Sequence, residues 1–528
     1  MSERGWVARL PVWPLVQCLP LAFVLCLILR NPLTIGADCA LNLQYGQLLV
    51  EGKAPYVDFI DTNPPLIMYL NAAPVLLARV ASLPLVPVFN LLVWALTVAS
   101  ALGTRALLRP TADKNGAVAF EIGVLTFSFA SLALWRRLEF GQREHLFILA
   151  YLPFLAARLR RVHAAGLPAA AGLAVGFAAG VAACLKPHFV AMALAPEAYR
   201  ALRNHRWREL AAPETGGFLF AGAAYALHFL FLPQAVQTGL FGRWAPLLAA
   251  RYDAFAFPLA TVLRHGVVWP GAAACAIVFA LTIGRRGPTT DFVRSLGVAA
   301  FVGAIGYLLQ RKGWAYQNIP AVVAGSCAVA AFLGMSIGAR VVPWFAAARG
   351  VRPAAFAAAA ALNAVLLAAA AWPGPAARGQ LPQSPIAQII ERDSPERGAV
   401  VFIATDVEYQ YPILTLLNRR PGSRYLWSFP IPMFRCRGQL DPDGAVPQRR
   451  DDLPAAERRF LGELGDDILR NRPYLVFVET DRYCLGCPQG FSIPNYLAKV
   501  GFTETYLAPY RLLAVLDGLI VYARRGSG

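Results

Sequence analysis

Four carboxylates, Asp38, Glu51, Asp58 and Asp61, stand close together between Gly36 and Pro65, in a chain with only 31 acidic residues among 528. Their stretch, GADCALNLQYGQLLVEGKAPYVDFIDTNPP, follows the first long apolar run. Carboxylates are suited to taking protons from reacting hydroxyls, and this stretch reads as a catalytic loop on the outer face of a membrane. Basic residues farther along supply the complementary charge. Lys186, Arg311 and Lys312 fall at ends of apolar runs, and Arg143 and His145 sit with Glu139 and Glu144 in LEFGQREHLF. Lysine offers a point charge and arginine a bidentate fork to phosphate oxygens. A phosphate carried by a lipid is a natural partner at a membrane boundary. Each cation alone could equally snorkel to headgroups. Their recurrence on one face favours a shared anion site.

The elements that must position these groups follow from pattern. Leu41, Tyr45, Leu48 and Leu49 recur at the spacing of one apolar helix face, with Gln44, Gln47 and Glu51 elsewhere. Gly52 is placed to end that helix. The prolines of Ala54 to Pro65 favour extended chain. A short helix with one oily face beside a spanning segment is expected to lie flat at the interface. Asp38 stands where an N-cap is expected, and capping is its alternative role. Leu41 three residues on leaves no capping box.

Bulk composition places the chain in a bilayer. It is 57% hydrophobic and 15% charged, against about 25% charged for soluble domains. Apolar runs long enough to span recur. The net charge of +18 does not mark a nucleic-acid binder. Most arginines lie in short loops between apolar runs, as the positive-inside bias demands, and no basic and aromatic stripe is present. Arg4 and Arg9 precede the apolar run from Pro11 to Leu29. With no convincing small-x-small cleavage site, that run reads as a retained first span with a cytoplasmic N-terminus.

Asp38 soon after the first span, the helix ending at Gly52, then Tyr56 and Pro64-Pro65 together resemble the first outer loop of the GT-C superfamily. These are polytopic glycosyltransferases that use polyprenyl-phosphate-linked sugars. Cys39 stands where the family often has a second acid. QRKGWAYQNIP, Gln310 to Pro320, looks like a segment such enzymes carry at a late span near the donor phosphate. The resemblance implies inverting transfer of a sugar from a polyprenyl phosphate to an acceptor hydroxyl, with Asp38 as general base. It implies donor-phosphate binding by Lys186, Arg311, Lys312, Arg143 and His145. Glu144, Tyr56, Trp314, Tyr316 and His188 are the residues expected at the sugar or acceptor. Trp314 and Tyr316 would otherwise be interfacial anchors, and His188 a structural histidine. The implied partners are the lipid-linked donor, the bilayer and a glycan, glycolipid or protein acceptor. No cofactor is implied with certainty, and a divalent metal stays open.

The expected fold is a polytopic α-helical membrane protein of about eleven crossings with a C-terminal periplasmic α/β domain. The expected boundaries are 1–373 for the transmembrane part with its first periplasmic loop at 31–85, 374–397 for a Pro-rich linker, and 398–528 for the outer domain. Leu66 to Leu83 carries Asn71, Pro74 and Arg79 and reads as an embedded or interfacial helix. Trp135 to His145 reads as a short outer loop. If Val86 to Thr104 is the next crossing after the first, Arg105, Arg109 and Lys114 fall in the cytoplasm, as the bias wants. The inner membrane of a bacterium is the implied location.

Past the linker, Val400 to Ala404 and Tyr474 to Glu479 read as strands, and Val407 to Leu417 and Pro454 to Arg470 as helices. Asp517-Gly518 between two apolar runs signals a hairpin. Cys436, Cys484 and Cys487 are candidates for a disulfide in an oxidising compartment, and Cys-Leu-Gly-Cys also has the spacing of a metal half-site. A transporter or flippase of a lipid-linked substrate, without chemistry, is the alternative function. No internal inverted repeat of the kind many transporters carry is evident.

Overall fold

Alternation of apolar runs with short basic loops gives helices, and the late period-two segments give a sheet. The computed structural model describes residues 12–112, 116–264, 276, 279–347, 384–435, 450–480, 491–516 and 518–526. Cys436, Cys484 and Cys487 lie outside these residues. The chain divides into two compact units.

The first unit takes in Met1–Thr34, Pro87–Leu230 and Leu259–Gly374. Among the described residues it is helical. Leu85–Thr111, Gly116–Arg136, Pro288–Gln310 and Ala315–Met335 are long and apolar enough to cross a membrane. Further helices accompany them: Arg143–His163, Ala169–Ala183, Pro187–Asn204 and Pro213–His228. Ala169–Ala183 and Pro213–His228 pack backbone to backbone. A Cβ on Gly176 would lie 1.9 Å from the Glu214 carbonyl oxygen, and one on Gly217 2.1 Å from that of Leu173. Gly172, Gly176 and Gly180 repeat every fourth position along one face. This small-residue seam lets helices approach closely where lipid removes the hydrophobic drive to associate.

Charge inside this unit is paired. Arg158 Nε donates to Glu197 at 2.6 Å, Arg161 Nε donates to Glu214 at 2.7 Å, and Arg200 also binds Glu197. Arg158, Glu197, Arg200 and Glu214 are all buried. Ions so far from water persist only when paired, and losing one partner strands the other.

The second unit gathers Ile35–Val86, Phe231–Pro258 and Pro375–Gly528. Its centre is a five-stranded sheet of order β2-β1-β3-β5-β4. The strands are β1 Ala399–Ile403, β2 Arg420–Pro421, β3 Leu475–Glu479, β4 Tyr510–Leu516 and β5 Leu519–Arg524. β1 pairs in parallel with β2 and β3, and β5 runs antiparallel to β3 and β4. β3 is buried throughout, as a near-continuous apolar strand should be. Gly518 turns the β4–β5 hairpin at φ 76°.

The early loop is built into this sheet unit. Ile60 bridges to Tyr425, with Ile60 N–H donating to the Arg424 carbonyl at 2.9 Å. Thr415 Oγ1 donates to the Ala40 carbonyl at 3.2 Å. Gly239 sits against Tyr56, where a Cβ would lie 2.5 Å from the Tyr56 carbonyl oxygen.

Two expectations for this unit are corrected. Ala37–Val50 is a helix, but Cys39 to Gly46 are buried without a break, including Asn42 and Gln44. It is covered on every side over those turns, so it does not lie flat with one wet face. Val407 to Leu417 is not one helix: a 3₁₀ turn at Val407–Tyr409 and a short helix at Ile413–Leu416 flank Pro412. Proline carries no N–H and disfavours helical backbone in the residue before it. Leu66–Ala81 is a 16-residue helix, as its pattern suggested, and is shorter than the spans above.

Candidate functional site

Two helix starts meet in the first unit around an ion pair. Glu144 lies in the first turn of Arg143–His163, and Lys186 is the residue at the start of Pro187–Asn204, with Pro187 in the first helical position. The Lys186 ammonium binds the Glu144 carboxylate, which is fully buried. The other Glu144 oxygen, Oε2, is buried with no hydrogen-bond partner among the described residues. Helix N-termini present a partial positive charge and favour anions. Two such ends plus an ammonium make a positive corner that a single carboxylate balances.

Tyr316 closes this corner. Lys186 Nζ lies 5.3 Å from the centre of its ring, a cation–π contact. Trp314 stacks on Tyr316 at 5.9 Å. The 3₁₀ turn Ala315–Asn318 that carries Tyr316 also touches the Arg143–His163 helix. His188 packs on Gly306, where a Cβ would meet its ring at 3.2 Å, and its Nε2 is 3.5 Å from Gln310 Nε2. Arg143, Glu144 and Lys186 all act electrostatically on His188. The structure therefore brings together Arg143, Glu144, Lys186, His188 and Tyr316.

The remaining predicted residues of this unit differ in setting. Arg311 is exposed and takes the left-handed conformation, φ 53°, as the cap of Pro288–Gln310, while Lys312 beside it is buried. His145 is fully buried, and its Nδ1 accepts from Gly141 N–H at 3.1 Å. With Nδ1 occupied as an acceptor, the neutral ring carries its proton on Nε2, a tautomer assigned from the hydrogen bond. His145 is thus available as an N–H donor and not as the free cation its sequence position suggested. The expected loop from Trp135 to His145 is shorter than predicted. Gly116–Arg136 extends into it, and Arg143 already opens the next helix.

Sequence reasoning passed over three buried amides that neighbour these charged residues along the chain. Gln142, Gln317 and Asn318 are buried, and the side-chain oxygens of Gln317 and Asn318 meet no donor among the described residues. The signal was present, since all three lie inside the two polar-aromatic stretches that drew attention to their charged neighbours.

The second unit holds Asp38 and Tyr56. The N-cap of Ala37–Val50 is Gly36, so Asp38 lies within the first turn and is half-buried. Gly36 has no side chain with which to cap the helix. An acid in the first turn complements the helix dipole. Tyr56 is buried at φ 62°, and its hydroxyl donates to the Asn63 carbonyl at 2.5 Å. The buried Asp61 accepts from Asn63 Nδ2 at 3.0 Å. Burial first, and then the Asp61 carboxylate, push the Tyr45 hydroxyl well above its usual range. Asp61 and Tyr45 thus stiffen the loop that follows the Asp38 helix. Among the described residues no group of three or more His, Cys, Asp or Glu side chains could hold a metal ion.

Comparison with known proteins adds a structural likeness. No protein-family model matches the chain, and no curated protein matches it. Among solved structures it is similar to ArnT from Cupriavidus metallidurans, crystallised bound to undecaprenyl phosphate. The alignment covers 100% of this chain and 99% of that one, with a TM-score of 0.55 and 14% identity. The chain thus shares the ArnT fold over its whole length.

Proposed function

We propose that this chain is a polytopic membrane glycosyltransferase that moves a sugar from a polyprenyl-phosphate-linked donor to an acceptor hydroxyl on the periplasmic face, with inversion. The reading places it in a bacterial inner membrane, in the synthesis of a cell-envelope glycan or glycolipid. About eleven crossings, with the residues after 398 in the periplasm, complete it. The observation that carries it is the fold shared along the whole chain with a protein solved with undecaprenyl phosphate bound.

In this reading the acceptor O–H gives its proton to the Asp38 carboxylate as the oxygen attacks the anomeric carbon. The bond from that carbon to the donor's phosphate oxygen breaks, and its electron pair leaves with the phosphate. Charge develops on the leaving oxygens, so fixed donors there lower the barrier. Lys186 is the main such group, held by Glu144 and Tyr316. Arg143, Arg311 and Lys312 add positive charge, and His145 offers Nε2–H. Tyr56, Trp314 and His188 are assigned to the sugar or acceptor. A lipid tail on the donor accounts for an enzyme that lives in the bilayer.

Purified full-length protein, given a polyprenyl-phosphate sugar and membrane glycolipid extract, should release free polyprenyl phosphate and label an acceptor. A flippase would move the donor between leaflets and release none, and that result would overturn the reading.

A further inference from the structure

The second unit carries an amphiphilic surface that the proposed transfer does not use. On Leu66–Ala81, Ala73, Leu76, Leu77 and Val80 are all exposed at the spacing i, i+3, i+4, i+7. Leu76 is 51% and Val80 84% exposed. The opposite face, with Ile67, Met68, Asn71 and Val75, is buried. One helix side is therefore packed, and the other is apolar and open.

Three guanidinium groups gather at the end of this helix on one carboxylate. Glu51 Oε1 lies 3.5 Å from Arg79, 3.4 Å from Arg397 and 3.7 Å from Arg420. The arginine side chains are 46%, 57% and 50% exposed. One carboxylate cannot neutralise three cations, so an excess of positive charge faces outward. Arg397 and Arg420 come from the sheet region, Arg420 from the edge strand β2. An open apolar stripe rimmed by forked cations is complementary to an acyl chain below an anionic phosphate.

We infer that Arg79, Arg397 and Arg420, with the Leu76–Val80 face, form a docking site for an anionic phospholipid, which ties the sheet unit to the bilayer surface. Glu51 spaces the three arginines and weakens the site by its charge. Phosphate supplies the specificity and the acyl chain the apolar contact.

The test is native mass spectrometry of the full-length chain with dioleoylphosphatidylglycerol or dioleoylphosphatidylcholine added. At roughly a factor of five per basic residue at an anionic surface, R397Q/R420Q should bind phosphatidylglycerol about thirtyfold more weakly and phosphatidylcholine unchanged. E51Q should bind phosphatidylglycerol more tightly, and Val80→Asn should weaken both lipids. Unchanged phosphatidylglycerol binding in R397Q/R420Q would overturn the site. So would glycerol phosphate binding as well as the intact lipid, which would mark a site for free anions.

Discussion

The Lys186 ammonium binds a carboxylate, Glu144, that has no exposure to solvent, and each residue sits at the start of its own helix. A buried pair of this kind contributes less to net stability than it costs to break. Its value is that it fixes an ammonium in one place before any ligand arrives.

Lys186→Gln should therefore do two separable things. It should leave Glu144 buried without its cation, destabilising the fold by about 3–5 kcal/mol. It should also slow transfer by roughly 10²- to 10³-fold, the range for losing one preorganised donor. The double variant E144Q/K186Q should recover most of the thermal stability and none of the rate. Melting curves and release of polyprenyl phosphate, measured on the same samples, separate the two effects.

Asp38→Asn should slow transfer by about 10²- to 10⁴-fold, the usual contribution of a general base. Asparagine has nearly the same shape and volume as aspartate, so the melting temperature should stay close to the parent's. A variant of normal rate would remove Asp38 from the chemistry.

Sidedness offers a check that needs no substrate. Single cysteines at positions 38 and 311, in a background freed of the native ones, should both react with an impermeant maleimide added from the periplasmic side. Reaction of the two from opposite sides would end the shared-face reading.

The Gly176 position should tolerate no side chain. Its Cβ would lie 1.9 Å from the Glu214 carbonyl, a backbone atom that cannot swing away. Gly176→Ala should cost about 1–3 kcal/mol through overpacking, and Gly176→Leu should abolish the folded protein. Gly222→Ala, on the neighbouring helix with open space around it, is the control and should melt like the parent.

Acid should loosen the second unit at Glu463. Burial alone raises this carboxyl, but hydrogen bonds from Arg243 and Tyr425 and the charge of Arg243 outweigh it, and the group sits at about 2. Arg243 Nη1 donates to Glu463 Oε1 and Nη2 to Oε2, each at 2.7 Å, and Tyr425 donates to Oε2 at 2.6 Å. The folded value lies below the ordinary 4.5. Its contribution is thus complete above about pH 4.5 and is lost as pH falls toward 2. Unfolding followed from pH 6 to 3 should show the parent losing more stability than Glu463→Gln.

What the sequence revealed depended on whether one face of an element decided its fate. The hairpin at Gly518, the helix Ala455–Asn471 and strands β1 and β3 followed their local patterns closely. Ala37–Val50 also formed, but its burial on all sides came from partners distant in sequence that no periodicity could announce. Arg143 and Glu144 read as loop residues because charge normally marks solvent. The helix carries them inward because Lys186 meets Glu144 there. Pro412 was the visible warning against a helix from Val407 to Leu417. For the site, the charged members were legible and their amide neighbours Gln142, Gln317 and Asn318 were not, since amides carry no sign to place.

The Ala40–Thr415 hydrogen bond joins residues 375 positions apart. A ribosome threading this chain into a bilayer releases Ala40 long before Thr415 has been synthesised. The early segment must therefore wait, incompletely assembled, through most of translation, and it reaches its final packing only after the last strands emerge. Truncated chains that end before β1 should insert yet fail at this step, and quality-control proteases would find their cleavage sites within residues 35–86.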